Sequence, residues 1–299
     1  MPDKVYTAYS LVFQSDWEIP ELLEGSGQPD VTLRLGEVPE QLASSTGEPT
    51  LYQVNESQFL LKLEGIASYW VKDGNEIVIQ PAPGSLDAEV RLFLFGTCLG
   101  VLLHQRGILA LHASAIETPQ GAVLFTGRSG IGKSTLMSAF LNMGYYMLAD
   151  DVTGIVLDRQ GCPIALPAMP RTKLWSDAVR HLGHDLDTLP RLRPGEDKFE
   201  RTEHERFAHC PVPLSRIYLL LTSEGSEPKI TPLDKMSGFQ VVLHNTYREF
   251  FLHGLDRRTT HLQLATATVK NTRISLLMRP ENLLQLEEMV KLVEADFLA

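Results

Sequence analysis

"TGRSGIGKSTLMSAFLNMGYYMLADD", residues 126–151, decides the fold. Gly127-Arg128-Ser129-Gly130-Ile131-Gly132-Lys133-Ser134 satisfies the pattern G-x-x-x-x-G-K-[ST] with no departure, and Thr135 follows it. The apolar run "AVLFTG" leads in as a strand. Lys133 to Met143 then repeats at helical spacing, with Gly144 placed to end the helix. A strand, a glycine-rich turn and a helix in that order form a phosphate-binding loop. The glycines let successive backbone N–H groups turn inward around phosphate oxygens, and the helix adds the positive end of its dipole. Lys133 is then expected to reach the β- and γ-phosphates of a nucleotide, with the Ser134 hydroxyl on Mg²⁺.

The same stretch ends in Asp150 and Asp151, 17 and 18 residues beyond Lys133. A helix of about 11 residues runs back roughly 16 Å, and a strand of five or six residues recovers about the same distance. A right-handed β-α-β unit brings its second strand to the same edge of the sheet as its first, so the aspartates are expected beside the loop. Carboxylates there can ligand Mg²⁺ or take a proton from a hydroxyl that attacks the γ-phosphate. Upstream, "ILALHASAIE" reads as a strand and "TPQG" (118–121) as a two-residue turn. Paired positions then sum to 239, which sets His112 opposite Gly127 and near the phosphates. There it can orient a base or sense phosphate charge.

Further out, the first 84 residues alternate short apolar segments with turns, among them "DGN" at 73–75, and read as a β-rich meander. "PAPGS" (81–85) marks a boundary, and a helix over about 86–105 follows, capped by Ser85 or Asp87. The expected organisation is a smaller β-rich N-terminal domain over 1–84 and an α/β P-loop domain over 85–299. Residues 183–213 are charged and aperiodic and read as a lid or an unstructured segment. Helices around 236–253 and 260–269, the strand "TRISLLM" and a helix from Pro280 complete the chain.

The net charge of −10 argues against a nucleic-acid or anionic-membrane partner. The run "LFLFGTCLGVLL" is too short to span a bilayer. With no visible N-terminal signal and three scattered cysteines, the expected location is the cytoplasm.

"LHAS", "TGRSGIGKST" and "LADD" together resemble the catalytic domain of HPr kinase/phosphorylase, whose P-loop core is shared with phosphoenolpyruvate carboxykinase. That family carries a histidine 21 residues before the loop lysine and an Asp-Asp pair beginning 17 residues after it, and His112, Lys133, Asp150 and Asp151 keep both spacings. The resemblance implies ATP as donor and Mg²⁺ as cofactor. It also implies Asp150 as the base toward a serine hydroxyl, His112 holding Asp150, and Asp151 with Ser134 on the metal. A peptide or small protein carrying the acceptor serine is the implied partner, and a homo-oligomer is expected because members of the family often assemble.

The family has a glutamate where this chain has Thr135, and its "RGLGI"-type signature is not found. "PRTKLW" (170–175) and "EDKFER" (196–201) stand in its place. They resemble the divergent HPr-kinase-like proteins of peptide biosynthetic clusters, some of which phosphorylate the C-terminal serine of a lasso peptide precursor. Arg171, Lys173, Lys198 and Arg201 are candidate contacts to phosphate or to a substrate carboxylate. Competing readings are a kinase of HPr or of a small metabolite, and a nucleotide-gated binding module that transfers nothing.

Overall fold

A computed structural model describes residues 4–48, 50–193, 195–223, 225, 227–280 and 285–299. Contacts divide the chain into two compact units, one of residues 1–110 with 247–264 and one of residues 111–246 with 265–299.

The first unit is built on eight strands: β1 (Lys4–Ala8), β2 (Leu11–Ser15), β3 (Leu23–Glu24), β4 (Val31–Leu35), β5 (Tyr52–Val54), β6 (Gln58–Leu63), β7 (Ala67–Lys72) and β8 (Glu76–Pro81). They form one sheet in the order β3-β1-β2-β4-β8-β7-β6-β5. Side chains alternate across a strand, so Leu11, Phe13 and Ser15 of β2 and Ala67, Tyr69 and Val71 of β7 are all buried. The expected turn joins β7 to β8. Asp73 and Gly74 both have positive φ, and Asn75 N–H donates to Lys72 O, as a hairpin turn of the favoured hand requires.

The helix expected over 86–105 is three consecutive pieces, α1 (Asp87–Phe93), a π-helical turn (Leu94–Cys98) and α2 (Leu99–Gln105). Neither Ser85 nor Asp87 caps it. Leu86 stands at the N-cap with no side-chain hydrogen bond. The expected boundary at 84/85 also differs from the compact units, because these helices pack on the first sheet. Tyr69 Oη donates to Val90 O at 2.8 Å, and Gln105 Oε1 accepts from Gly74 N–H at 3.0 Å. Residues 247–264 return to this unit for a related reason. Gly96 and Gly100 leave a groove for Tyr247, and a Cβ on Gly100 would stand 2.7 Å from the tyrosine ring. His104 Nε2 then meets Tyr247 O at 2.7 Å.

The rest of the chain runs β9 (Leu109–Leu111), β10 (Ala113–Thr118), β11 (Gly121–Thr126), α3 (Lys133–Asn142), β12 (Tyr146–Ala149), β13 (Thr153–Leu157), β14 (Pro163–Leu166), β15 (Arg171–Trp175), α4 (Ser176–His181), β16 (Lys198–Thr202), β17 (Val212–Ser223), β18 (Lys229–Pro232), α5 (Lys235–His244), α6 (Phe251–Gly254), α7 (Arg258–Asn271), β19 (Arg273–Pro280) and α8 (Leu286–Leu298). The helix expected over 236–253 is therefore two, α5 and α6. The expected start of the last helix runs through 281–284, outside the described residues. Residues 183–213 hold two short 3-10 turns and β16 where a lid or unstructured segment was expected, with residue 194 outside the described set.

The second unit carries an α/β sheet. β11, β17 and β19 run parallel at its centre, while β10 and β18 lie antiparallel to their neighbours. The β10–β11 pairing is the expected one: Ala113 faces Thr126 and Thr118 faces Gly121, each pair summing to 239. β12 pairs antiparallel with β10, which places it parallel to β11 with β10 between them. The unit is thus a P-loop α/β fold, preceded in the chain by a β-rich part. Phe125 and Phe140 stack at 5.6 Å between β11 and α3, and Phe297 of α8 lies 5.9 Å from Phe140. β15 and β16 form a separate two-stranded sheet over a small core of Leu174, Ala178, Val179 and Phe199. Among the described residues no helix is long and apolar enough to cross a membrane.

Candidate active site

The loop between β11 and α3 has φ of 138° at Gly127, 79° at Gly130 and 104° at Gly132. An L-side chain at these positions would be strained, and a Cβ on Gly127 would also meet Leu220 O at 2.9 Å. Lys133, the first residue of α3, turns back so that Nζ donates to Gly127 O at 2.9 Å and to Arg128 O at 3.1 Å. Its third partner is His112 Nε2, at 2.9 Å. An ammonium has only donors, so Nε2 must be the accepting nitrogen of a neutral ring and Nδ1 carries the proton. Nδ1–H donates to Asp151 O at 2.9 Å, and Asp151 Oδ1 lies 3.4 Å away. Burial and the adjacent Lys133 charge hold the imidazole below its ordinary value, which keeps the ring neutral. Burial also pushes Lys133 down to about 8, against the pull of Asp150 and Asp151.

The two aspartates diverge. Asp151 has φ of 71°, and Val152 N–H donates to Asp150 O across it, closing a three-residue turn. Asp150 is buried. Its Oδ1 accepts from Ser114 Oγ at 2.6 Å and from Ser134 Oγ at 2.8 Å, and its Oδ2 accepts from Lys173 N–H at 3.1 Å. Asp151 instead takes Lys173 Nζ at 2.8 Å. Burial pushes its carboxyl up, but Lys173, His112 and Lys198 together hold it well below the usual carboxylate range. His112 therefore sits on Asp151, and the loop serine sits on Asp150. The implied His112–Asp150 pairing does not form, because the turn at Asp151 aims the two carboxylates in different directions.

These groups share one cavity of about 490 Å³. Ser129, Gly130, Gly132, Lys133, Ser134 and Thr135 form one wall, and Lys173 to Ala178 with Asp197 and Lys198 form another. Among the four candidate cations, Lys173 and Lys198 line the cavity. Arg171 is buried on Glu200 at 3.0 Å, one step further along the same face of β15. Arg201 lies on the opposite face, 3.2 Å from Glu203 and 2.6 Å from His184 Nε2. Arg128 is exposed and gives the site its backbone carbonyl, while Ile131 is buried and offers its carbonyl to Arg279.

Arg279 and Ser114 were not singled out in the sequence. Arg279 stands near the end of β19, where its Nε donates to Ile131 O at 2.7 Å and its side chain lines the cavity. The signal was an arginine closing a strand, but only the β11-β17-β19 order shows that this strand ends at the loop. Ser114 follows His112 by two, on the strand already placed beside the phosphates.

The donor set fits a magnesium nucleotide. Ser134 and Asp150 offer adjacent hard oxygens, as Mg²⁺ requires, and the glycine loop leaves its backbone open, since nothing lies within 4 Å of a Cβ built on Gly130.

No family model and no curated protein matches the chain. Among solved structures, the chain is similar to the Hpr(Ser) kinase/phosphatase from Coxiella burnetii, at 14% sequence identity and a TM-score of 0.36. The similarity covers 63% of this chain and 96% of that one. The α/β assignment rests on the strand order and the glycine loop described above.

Proposed function

We propose that this chain is an ATP- and Mg²⁺-dependent kinase that transfers the γ-phosphoryl group to a serine hydroxyl of a peptide or small protein. The C-terminal serine of a lasso-type precursor peptide is the acceptor we favour. The observation that carries the kinase reading is the hydrogen bond from Ser134, the loop serine, to Asp150, with a second carboxylate one residue away on a neutral histidine. Nucleotide binding alone needs no such second carboxylate.

The loop N–H groups and Lys133 bind the β- and γ-phosphates. Ser134 and Asp150 would hold the metal ion, which would supply positive charge against that of the phosphates. Asp151, kept ionised by Lys173 and oriented by His112, accepts the acceptor hydroxyl proton. The Ser134–Asp150 contact supports this exchange of the two aspartate roles relative to the family pattern. Catalysis is then mostly positioning and charge stabilisation. "PRTKLW" and "EDKFER", which gave the lasso-type resemblance, supply Lys173, Trp175, Asp197 and Lys198 to the cavity.

Intact-mass spectrometry tests the reading. The chain is incubated with ATP and Mg²⁺ and, separately, a precursor peptide ending in serine, HPr or free serine, with Asp150→Asn as control. One phosphate on the peptide alone, absent in the control, is the expected result. Labelling of HPr would replace the acceptor, and labelling of none of the three with ATP bound would favour a nucleotide-gated binding module.

A further inference from the structure

One cavity wall holds a serine that none of these roles uses. Ser176 directly follows β15, and its Oγ donates a hydrogen bond to Asp197 Oδ2. The pair is joined a second time by Ser176 N–H on Asp197 O at 3.3 Å. Both residues line the cavity that contains Lys133, Ser134, Asp150 and Asp151. Lys173, at the middle of β15, touches both aspartates of the site. Lys198, which follows Asp197, lies close enough for its charge to act on Lys133 and Asp151.

A hydroxyl donating to a carboxylate is the ground-state arrangement of a nucleophile and its base. Asp197 has only one other ionic neighbour among the described residues, Arg191 Nη1 at 3.9 Å. Ser176 also needs no help from this bond to start α4, because the Ala178 N–H is satisfied by Asp177 Oδ1 at 2.8 Å.

We propose that Ser176 is itself a phosphate acceptor, so that the chain phosphorylates its own cavity wall with Asp197 as the base. The inference rests on the kinase reading above. In the step, Ser176 Oγ forms a bond to the γ-phosphorus of ATP while the bond from that phosphorus to the β,γ-bridging oxygen breaks. ADP leaves with the electron pair, and the hydroxyl proton passes to Asp197 Oδ2. Lys173 and Lys198 are the cations within the wall that offset the charge of the new phosphoserine.

The full chain, treated first with a phosphatase that is then removed, is incubated with ATP and Mg²⁺ and without acceptor. Intact mass and peptide mapping follow, with ATP binding measured in parallel by calorimetry. One phosphate on Ser176, gained at a rate independent of protein concentration, is expected. Ser176→Ala should lose the label, Ser176→Thr should carry it as phosphothreonine, and Asp197→Asn should slow it about a hundredfold. A chain that binds ATP and labels an added serine peptide but leaves Ser176 unmodified overturns this inference and keeps the kinase reading. Labelling confined to another residue also overturns it. A chain that binds no ATP removes both.

Discussion

Lys133 is the most exacting point at which to test the site. Its ammonium is buried against two carbonyls and an imidazole, and that burial brings it from an ordinary value of 10.5 down to about 8. A bound triphosphate supplies the opposite charge and should return it to at least the ordinary value. At pH 9 roughly nine-tenths of the lysine is then neutral before ATP arrives and nearly all is charged afterwards, an uptake of about 0.9 proton per nucleotide. At pH 7 the same arithmetic gives about 0.1 proton. Affinity should accordingly fall up to tenfold per pH unit between about 8 and 10.5, a total of roughly 3 kcal/mol. Calorimetric titration in buffers of different ionisation enthalpy reads the uptake directly. Lys133→Arg keeps the charge but cannot titrate, and should show no such rise at pH 9. A wild-type uptake that is the same at pH 7 and pH 9 would refute the argument. Folding offers a second readout that needs no nucleotide. Lowering a lysine in the folded state means the unfolded chain binds more protons between about pH 8 and 10.5. Wild type should therefore gain stability with rising pH across that window relative to Lys133→Met, by up to about 3 kcal/mol.

Other expectations follow from single contacts. Asp151→Asn, which removes the proposed base, should keep ATP binding and lose phosphoryl transfer by about a thousandfold, read by mass spectrometry against calorimetry. Lys173→Met removes the ammonium on Asp151 and should cost about 2 kcal/mol near neutral pH. Because the Asp151 carboxyl is held below its unfolded value, its share of stability is present above about pH 4 and fades as pH falls. Urea titrations should therefore show a shallower acid slope in that variant than in wild type. Phe140→Ala opens the stack with Phe125 and Phe297 and should cost about 3–5 kcal/mol in the same assay. Gly100→Ala drives a methyl group to 2.7 Å from the Tyr247 ring and should cost about 1–3 kcal/mol.

What the sequence made legible was local. The loop pattern, the hairpin sum of 239 and the helix-plus-strand length from Lys133 to Asp150 are each set by a few dozen consecutive residues, and each describes the structure. The pairing of His112 was not legible, because it turns on one backbone angle at Asp151 that decides which carboxylate points where. Arg279 was hidden by distance: it touches Ile131 across 148 residues, and only the sheet order brings them together. The division of the chain was hidden in the same way. Gly96 and Gly100 look like weak points in an apolar helix until Tyr247 fills the space above them. Arg171 and Arg201 show the opposite limit. As isolated charges in the sequence they looked free for substrate, whereas in the fold Glu200 and Glu203 stand beside them.

The β15–β16 hairpin pairs with itself and stands on its own small core, apart from the sheet that carries the glycine loop. Its direct hydrogen bonds to the two aspartates come from Lys173, whose backbone N–H donates to Asp150 and whose ammonium donates to Asp151. A hairpin attached in this way can exchange the residues around Trp175 and Lys198 while Lys173 keeps Asp150 and Asp151 in register. Under the proposed function, this hairpin rather than the glycine-loop sheet would carry the acceptor preference. A graft of residues 170–202 from a chain of different preference should carry that preference with it.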